Sequence, residues 1–181
     1  MNEDSDGSLV QRSCSGDRRA FETLVLRYEK PVYNAAMRML HDREEARDVA
    51  QTVFLKVYEH LGEYDPSHKF YSWIYRIALN ESINTLQRRR PHAPLDFEMA
   101  DGEPGPDDAV RHVQLNHGMA AAIMTLRDDY RAVIMLRHFL GCSYEDMATI
   151  LEVPEKTVKS RLFSARQLLK SAMESKGWAP E

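Results

Sequence analysis

The sequence predicts an all-α fold: two small helical domains joined by an acidic flexible linker. Three observations carry this. Apolar residues recur at three- and four-residue steps along most of the chain, and no strand-like alternation stands out. Residues 91–108 interrupt the pattern with four prolines, two glycines, six acidic side chains and few large apolar residues. Such a segment cannot bury enough surface to offset the entropy of ordering it, so it reads as a tether. Finally, 181 residues with 43% apolar content suit one large domain or two small ones with real cores. The expected division is a tail and the start of the first helix over 1–16, a first domain over 17–90, the linker over 91–108, a second domain over 109–175 and a tail over 176–181.

Within the first domain, Phe21, Leu24, Val25, Tyr28, Val32, Ala36, Met39 and Leu40 follow one helical face. Pro31 lies inside it and is expected to kink or interrupt the helix, because proline removes a backbone donor. After His41-Asp42, the residues Ala46, Val49, Ala50, Val53, Phe54, Val57, Tyr58 and Leu61 form a second stripe of about four turns, with Gly62 as the expected stop. Tyr64-Asp65-Pro66-Ser67 has turn chemistry. A third helix is expected from about Lys69 to Arg90, with Phe70, Trp73, Ile74, Ile77 and Ala78 inward and Pro91 ending it.

Past the linker, helical periodicity resumes near Ala109 and runs through Leu126, Tyr130, Val133, Leu136 and Leu140 to Gly141. Ser143 then offers an N-cap, and Asp146 three residues on completes a capping box. Met147, Ala148 and Leu151 form the inner stripe of that short helix. Pro154 can open a new helix, since a first-turn N–H has no partner to lose. In the new helix Val158, Leu162, Ala165 and Leu169 face inward. Lys156, Thr157, Lys159, Ser160 and Arg161 are left mostly outward near its start. This is the pattern of a helix-turn-helix whose second helix enters a DNA major groove. By itself the pattern serves a DNA-reading helix and an ordinary solvated basic face equally well.

Charge and cysteine usage narrow the classes. The net charge of −4 hides a segregation. Residues 1–90 hold 14 basic and 14 acidic side chains, 91–125 hold one and six, and 126–181 hold nine and eight. Nucleic-acid contact must therefore come from local patches such as Arg88-Arg89-Arg90 and the helix after Pro154, not from a global field. Cys14 and Cys142 have no paired-ligand spacing, so neither a disulfide framework nor a metal site is expected. No apolar run approaches the roughly 20 residues that span a bilayer. The N-terminus does not read as a signal peptide, so the expected location is cytoplasmic. No phosphate-binding loop, nucleophile motif or histidine pair at metal-ligand spacing occurs. The expectation is a non-enzyme without cofactor.

Four segments in order suggest a family: Gly16-Asp17-Arg-Arg-Ala-Phe21, then Asp42-Arg-Glu-Glu-Ala-Arg-Asp-Val-Ala-Gln-Thr-Val-Phe54, then Phe70-Tyr-Ser-Trp-Ile-Tyr-Arg-Ile-Ala-Leu-Asn80, then Thr157-Val-Lys-Ser-Arg-Leu162. From about residue 9 to 173 the chain resembles the extracytoplasmic-function (ECF) class of sigma-70 factors. The resemblance implies that 17–90 is sigma region 2 and 109–175 is sigma region 4. It implies a subunit that binds core RNA polymerase, directs it to promoters and nucleates their opening. Asp48, Gln51 and Phe54 would then meet the β′ clamp coiled coil. Tyr144 and the helix around Leu126 to Leu140 would meet the β flap.

The segment 65–80 would capture the promoter −10 element. Duplex opening without ATP needs unstacked bases to be held by aromatic stacking and a basic groove. Lys69, Phe70, Tyr71, Trp73, Arg76, Asn80, Arg88 and Arg89 are the candidates. Phe70 and Trp73 also fit an inward-facing core. The −35 element would be read by Glu155, Lys156, Thr157, Lys159, Ser160 and Arg161, with Arg166 on phosphate. The resemblance also implies an anti-sigma partner, and it places Glu152 and Lys156 where relatives often carry glycine. The competing reading is a polymerase-independent helix-turn-helix regulator. That reading leaves the aromatic-basic 65–80 segment without a purpose.

Overall fold

The computed structural model describes residues 5–89 and 118–175. The linker 91–108, the start of the helix expected at 109 and the tail 176–181 lie outside the described residues. Among the described residues eight α-helices follow one another and no strand occurs. They are α1 (Asp6–Cys14), α2 (Arg18–Leu40), α3 (Arg43–Glu59), α4 (Phe70–Arg88), α5 (118–124), α6 (Asp128–Ile134), α7 (Tyr144–Leu151) and α8 (Glu155–Glu174).

The helix expected to start within 1–16 is a separate one, α1, which ends before α2 begins. Ser5 caps α1 by accepting from the Ser8 N–H, and Leu9 and Val10 are buried against the core. Asp6 also pairs with Arg27 of α2. Asp17 caps α2, its carboxylate accepting from the N–H groups of Arg19 and Ala20. α2 runs through Pro31 without a break. Tyr28, Val32, Ala35 and Ala36 around it are buried, and their packing holds the turn where the proline nitrogen has no hydrogen to give. His41 ends α2 in the left-handed region, φ 54°, and Asp42 at once caps α3 through the Glu45 N–H at 2.9 Å. α3 stops at Glu59, before Gly62, which falls inside a short 3₁₀ turn over Leu61–Glu63. Asp65 organises the next turn by accepting from the Ser67 N–H at 2.8 Å.

α2 packs on α3 and α4, with α1 across α2, around Leu24, Val32, Met39, Leu40, Val53 and Ile74. In the second half, α6 and α7 pack on α8 around Val133, Leu136, Met147, Ile150, Val158 and Leu162. Ile150 is the buried partner of Met147, while Ala148 and Leu151 are only partly covered. The helix expected to run unbroken from Ala109 is instead α5 and α6, separated at Thr125–Arg127. A π-helical turn, Met135–Phe139, extends α6 before Gly141 at φ 67°.

The halves meet along two seams: α4 against α7, and the end of α2 against α6 and its π turn. Arg131 lies at the second seam, 4% exposed. Its guanidinium donates to the carbonyl of Met39 at 2.6 Å and to those of Met124 and Leu126 at 2.9 and 3.1 Å. With no carboxylate bonded to it among the described residues, this buried cation is held by carbonyls near helix C-termini, where the backbone dipole is negative. Beside it the Arg38 guanidinium lies 3.9 Å from the centre of the Phe139 ring.

Candidate nucleic-acid interface

Three surfaces collect the candidate residues. The first is an apolar groove between α2 and α3, about 750 Å³, lined by Phe21, Val25, Tyr33, Phe54, Leu55 and Tyr58, with Gln51 at its wall. Leu55 and Tyr58 are 63% and 64% exposed. Tyr58 therefore leaves the core stripe expected of it and meets the Phe21 ring edge-on at 5.1 Å. Phe54 is half-buried, whereas Asp48 and Gln51 are exposed. Large apolar side chains exposed side by side in one groove make it a candidate contact surface.

The second surface is the start of α4, and there the candidates separate. Phe70 is 2% exposed, packed among the rings of Tyr28, Tyr64 and Trp73 at 5.3, 5.5 and 5.7 Å. It belongs to the core in this arrangement. Lys69, Asn80 and Arg88 are exposed, and Tyr71, Trp73 and Arg76 are half-exposed. Tyr71 stacks obliquely on Tyr75 at 6.1 Å, and burial pushes the Tyr71 hydroxyl pKa up, so it stays a donor. Arg89 is turned inward: it donates to the Glu45 carboxylate and, at 3.0 Å, to the Leu40 carbonyl, which ties the end of α4 to the α2–α3 junction.

The third surface is α8. Val158, Leu162, Ala165 and Leu169 are buried as expected. The opposite side carries Lys156, Ser160, Phe163 and Gln167 in a row, flanked by Lys159, Arg166 and Lys170. Phe163, 65% exposed, was not among the candidates. Its signal was available: it directly follows Leu162 of the inner stripe, a turn beyond Ser160, so its side chain has to point away from the core. Arg161 lies on the far flank, 3.6 Å from Asp129, which also binds Arg127 at 3.4 Å. Lys159 pairs with Glu155 at 2.5 Å, an intrahelical contact that raises its pKa. Arg166 donates to the His138 ring at 3.3 Å, and burial together with that guanidinium keeps the imidazole's pKa low.

The structure also brings together candidates assigned to different surfaces. Asn80 of α4 and Arg161 of α8 line one cleft of about 590 Å³ with Arg127, Asp129 and Gln87. Lys69 and Arg76 of α4 face the acidic side of α7.

Comparison with known proteins identifies the family. The Sigma-70 region 2 family matches residues 24–92, and the Sigma-70, region 4 family matches residues 118–169. The RNA polymerase sigma-H factor of Pseudomonas aeruginosa is 37% identical, over 96% of this chain and 96% of its own. The ECF RNA polymerase sigma factor SigW of Bacillus subtilis is 33% identical, over 91% and 94%. The ECF RNA polymerase sigma-E factor of Escherichia coli K12 is 34% identical, over 94% and 95%. Among solved structures, CnrH in complex with the cytosolic domain of CnrY superimposes with a TM-score of 0.74 at 26% identity, over 95% of this chain and 99% of that one. The sigma factor RpoE of Bartonella quintana, in complex with the anti-sigma factor NepR, shares the fold with a TM-score of 0.69 at 21% identity, over 85% and 96%.

Proposed function

The chain belongs to the ECF RNA polymerase sigma factors of the sigma-70 family, and from that we propose how its surfaces divide the work of promoter recognition and opening. The apolar groove between α2 and α3 docks core RNA polymerase. Phe54, Leu55 and Tyr58 provide the buried contact, and the exposed Asp48 and Gln51 provide its polar rim. The β flap is met by the second half, around Tyr144.

The start of α4 captures the −10 element once its strands part. Lys69, Arg76 and Arg88 meet phosphate, Tyr71 and Trp73 offer stacking faces, and Asn80 offers an amide to a base edge. Phe70 acts from beneath by holding the Tyr64 and Trp73 rings, and Arg89 acts by fixing the end of α4. The −35 element is read from the start of α8. Glu155, Lys156, Thr157, Lys159, Ser160 and Phe163 reach base edges in the major groove, with Arg166 on the backbone. Arg161, paired with Asp129, positions α8 or is released on binding.

The observation that carries this reading is the union, in one chain, of an uncovered apolar groove with two separate basic-aromatic surfaces. A regulator acting on duplex DNA alone has use for only one of these surfaces. The protein adds no catalytic step of its own; polymerisation belongs to the core enzyme. Its place of work is the compartment that holds polymerase and DNA, the cytoplasm, and none of the described helices is long and apolar enough to cross a membrane. CnrH and the Bartonella quintana sigma factor were captured with protein partners, the second an anti-sigma factor. We extend that mode of control to this chain. The test is transcription from genomic fragments by bacterial core polymerase, with and without the protein, followed by mapping of transcript 5′ ends. New start sites sharing two upstream elements are expected. An unchanged set of starts would reject the reading.

A further inference from the structure

We propose that His138, in the π turn after α6, is a proton-sensitive positioning residue for the −35 grip: neutral, it holds Arg166 at the flank of α8, and protonated, it joins Arg166 on a backbone phosphate of the promoter. The proposal rests on the −35 role given to α8 above and adds a proton link to it.

The geometry fixes the protonation state of the contact. Arg166 donates from Nε to His138 Nε2 at 3.3 Å, and its Nη2 lies 3.2 Å from the same nitrogen. A guanidinium carries donors only, so Nε2 must offer its lone pair and the ring proton must sit on Nδ1. One edge of the guanidinium is thereby fixed, and its remaining N–H groups stay available to an anion. A doubly protonated ring has no lone pair to give, so this contact exists only while His138 is neutral.

His138 stands where phosphate contact is already expected. Lys159, Arg166 and Lys170 share one flank of the outward row of α8. His138 approaches that flank from the π turn, which the Leu140 N–H closes on the Met135 carbonyl at 3.2 Å. Such turns are rare and recur at functional sites.

The charges set against the ring are cations. From α8 come Arg166 and, a turn on, Lys170, itself paired with Glu174 at 3.8 Å. Its own turn supplies Arg137, which donates to the Cys142 carbonyl at 2.8 Å. Arg38 of α2 lies over the adjacent Phe139 ring. No carboxylate is hydrogen-bonded to the imidazole among the described residues. Desolvation, then Arg166, then Arg137 hold its pKa below the ordinary 6.5.

A DNA phosphate beside Arg166 reverses that balance, because an anion favours the charged imidazole. The pKa of His138 is then higher in the complex than in the free chain. Binding takes up a proton, and affinity rises as pH falls through the imidazole range. Above that range His138 still orients Arg166 but adds no charge.

Two measurements test the link. In the free full chain, proton NMR follows the imidazole titration, with His138→Gln identifying the ring. Arg166→Gln should raise the His138 midpoint, and a midpoint that ignores this change overturns the contact. The second measurement is fluorescence anisotropy of holoenzyme on a promoter fragment taken from the start sites mapped above. His138→Gln keeps an acceptor for Arg166 but cannot charge, whereas His138→Lys is charged throughout. From about pH 7.5 to about pH 5.5, wild type should gain about two- to five-fold in affinity relative to His138→Gln, the range of an exposed charge contact. His138→Lys should bind tighter than His138→Gln at both pH values. At the lower pH the salt dependence of wild type should be steeper than that of His138→Gln by about one charge. Equal pH profiles for wild type and His138→Gln, with both holoenzymes on the fragment, overturn the proton link and leave the −35 reading standing. Wild-type affinity in Arg166→Gln at both pH values removes Arg166 from the DNA, and with it the reading on which the link rests.

Discussion

Lys69 Nζ stands 3.1 Å from Asp146 Oδ1 although the two residues are 77 positions apart in the chain. The same carboxylate closes the capping box of α7: its other oxygen accepts from the Ser143 hydroxyl at 2.6 Å and from the Ser143 N–H at 3.3 Å. One side chain thus starts the helix-turn-helix and joins it to the opposite half of the molecule.

That double use has a pH signature. Burial alone would raise the Asp146 pKa, but hydrogen bonds from Ser143, Tyr71 and Lys69 outweigh it and hold the group at about 2, against an ordinary 3.8. A depressed carboxylate pKa contributes stability that is complete above the unfolded value and lost as pH falls through the folded one. The loss therefore falls between about pH 4 and pH 2 and amounts to about 2 kcal/mol at most. Asp146→Asn should lower the melting temperature at neutral pH and converge with wild type near pH 2. Circular dichroism melts across that range will show it. Parallel curves for the two proteins would remove this role from Asp146.

Phe70 is expected to matter to stability first. With three aromatic neighbours within 6 Å and 2% exposure, Phe70→Ala should cost about 3–5 kcal/mol in denaturant unfolding. If the variant unfolds like wild type yet fails to open promoters, the ring spends its working life on DNA rather than in the core.

Leu55 and Tyr58 should behave in the opposite way. Both are more than half exposed, so Leu55→Asp and Tyr58→Glu should change unfolding free energy by no more than about 0.5 kcal/mol. Each should weaken binding to core polymerase by about tenfold or more, because an apolar docking contact is replaced by a desolvated charge. Surface-immobilised polymerase gives the comparison directly. Unaltered affinity in both variants would place the docking surface elsewhere.

On α8, Lys156 and Phe163 separate two kinds of reading. Lys156→Ala should flatten the dependence of log affinity on log salt by about one charge. Phe163→Ala should leave that slope alone and reduce discrimination at one base position, as loss of an apolar contact to a thymine methyl would. Neither touches the buried stripe, so melting temperatures should hold. Identical salt slopes and base preferences in all three proteins would show that this row does not face DNA.

Most of the helical layout was legible in the sequence because its causes are local. Ser143 with Asp146, Asp42 before Arg43–Glu59 and the row Val158, Leu162, Ala165, Leu169 act within a few residues. The start of a helix within 1–16 was legible, but a separate α1 was not, because its burial against α2 and its Asp6–Arg27 pair are tertiary. Gly62 misled in the other direction: a glycine permits a helix end, but the α3 ladder had already stopped at Glu59.

The candidate surfaces were legible only as composition. An aromatic-basic run at 69–76 and a basic start to α8 follow from residue types alone, and so does the family they resemble. Periodicity assigns each side chain to a sector of its own helix, but it says nothing of what the neighbouring helices do with that sector. Hence Tyr58 came out to the groove although it shares the apolar stripe of α3, whereas Phe70 lies inward as its stripe predicts. Long flexible cations are harder still, since their partners lie far away in sequence: Arg89 took Glu45, Arg161 took Asp129, and Arg76 took Glu152, 76 positions on. Local chemistry along the chain sets most of the helices, their caps and the groups on offer to DNA and polymerase. The tertiary structure decided which of those groups stand free and which are held, because long-range packing and charge pairing depend on distances that no local pattern contains.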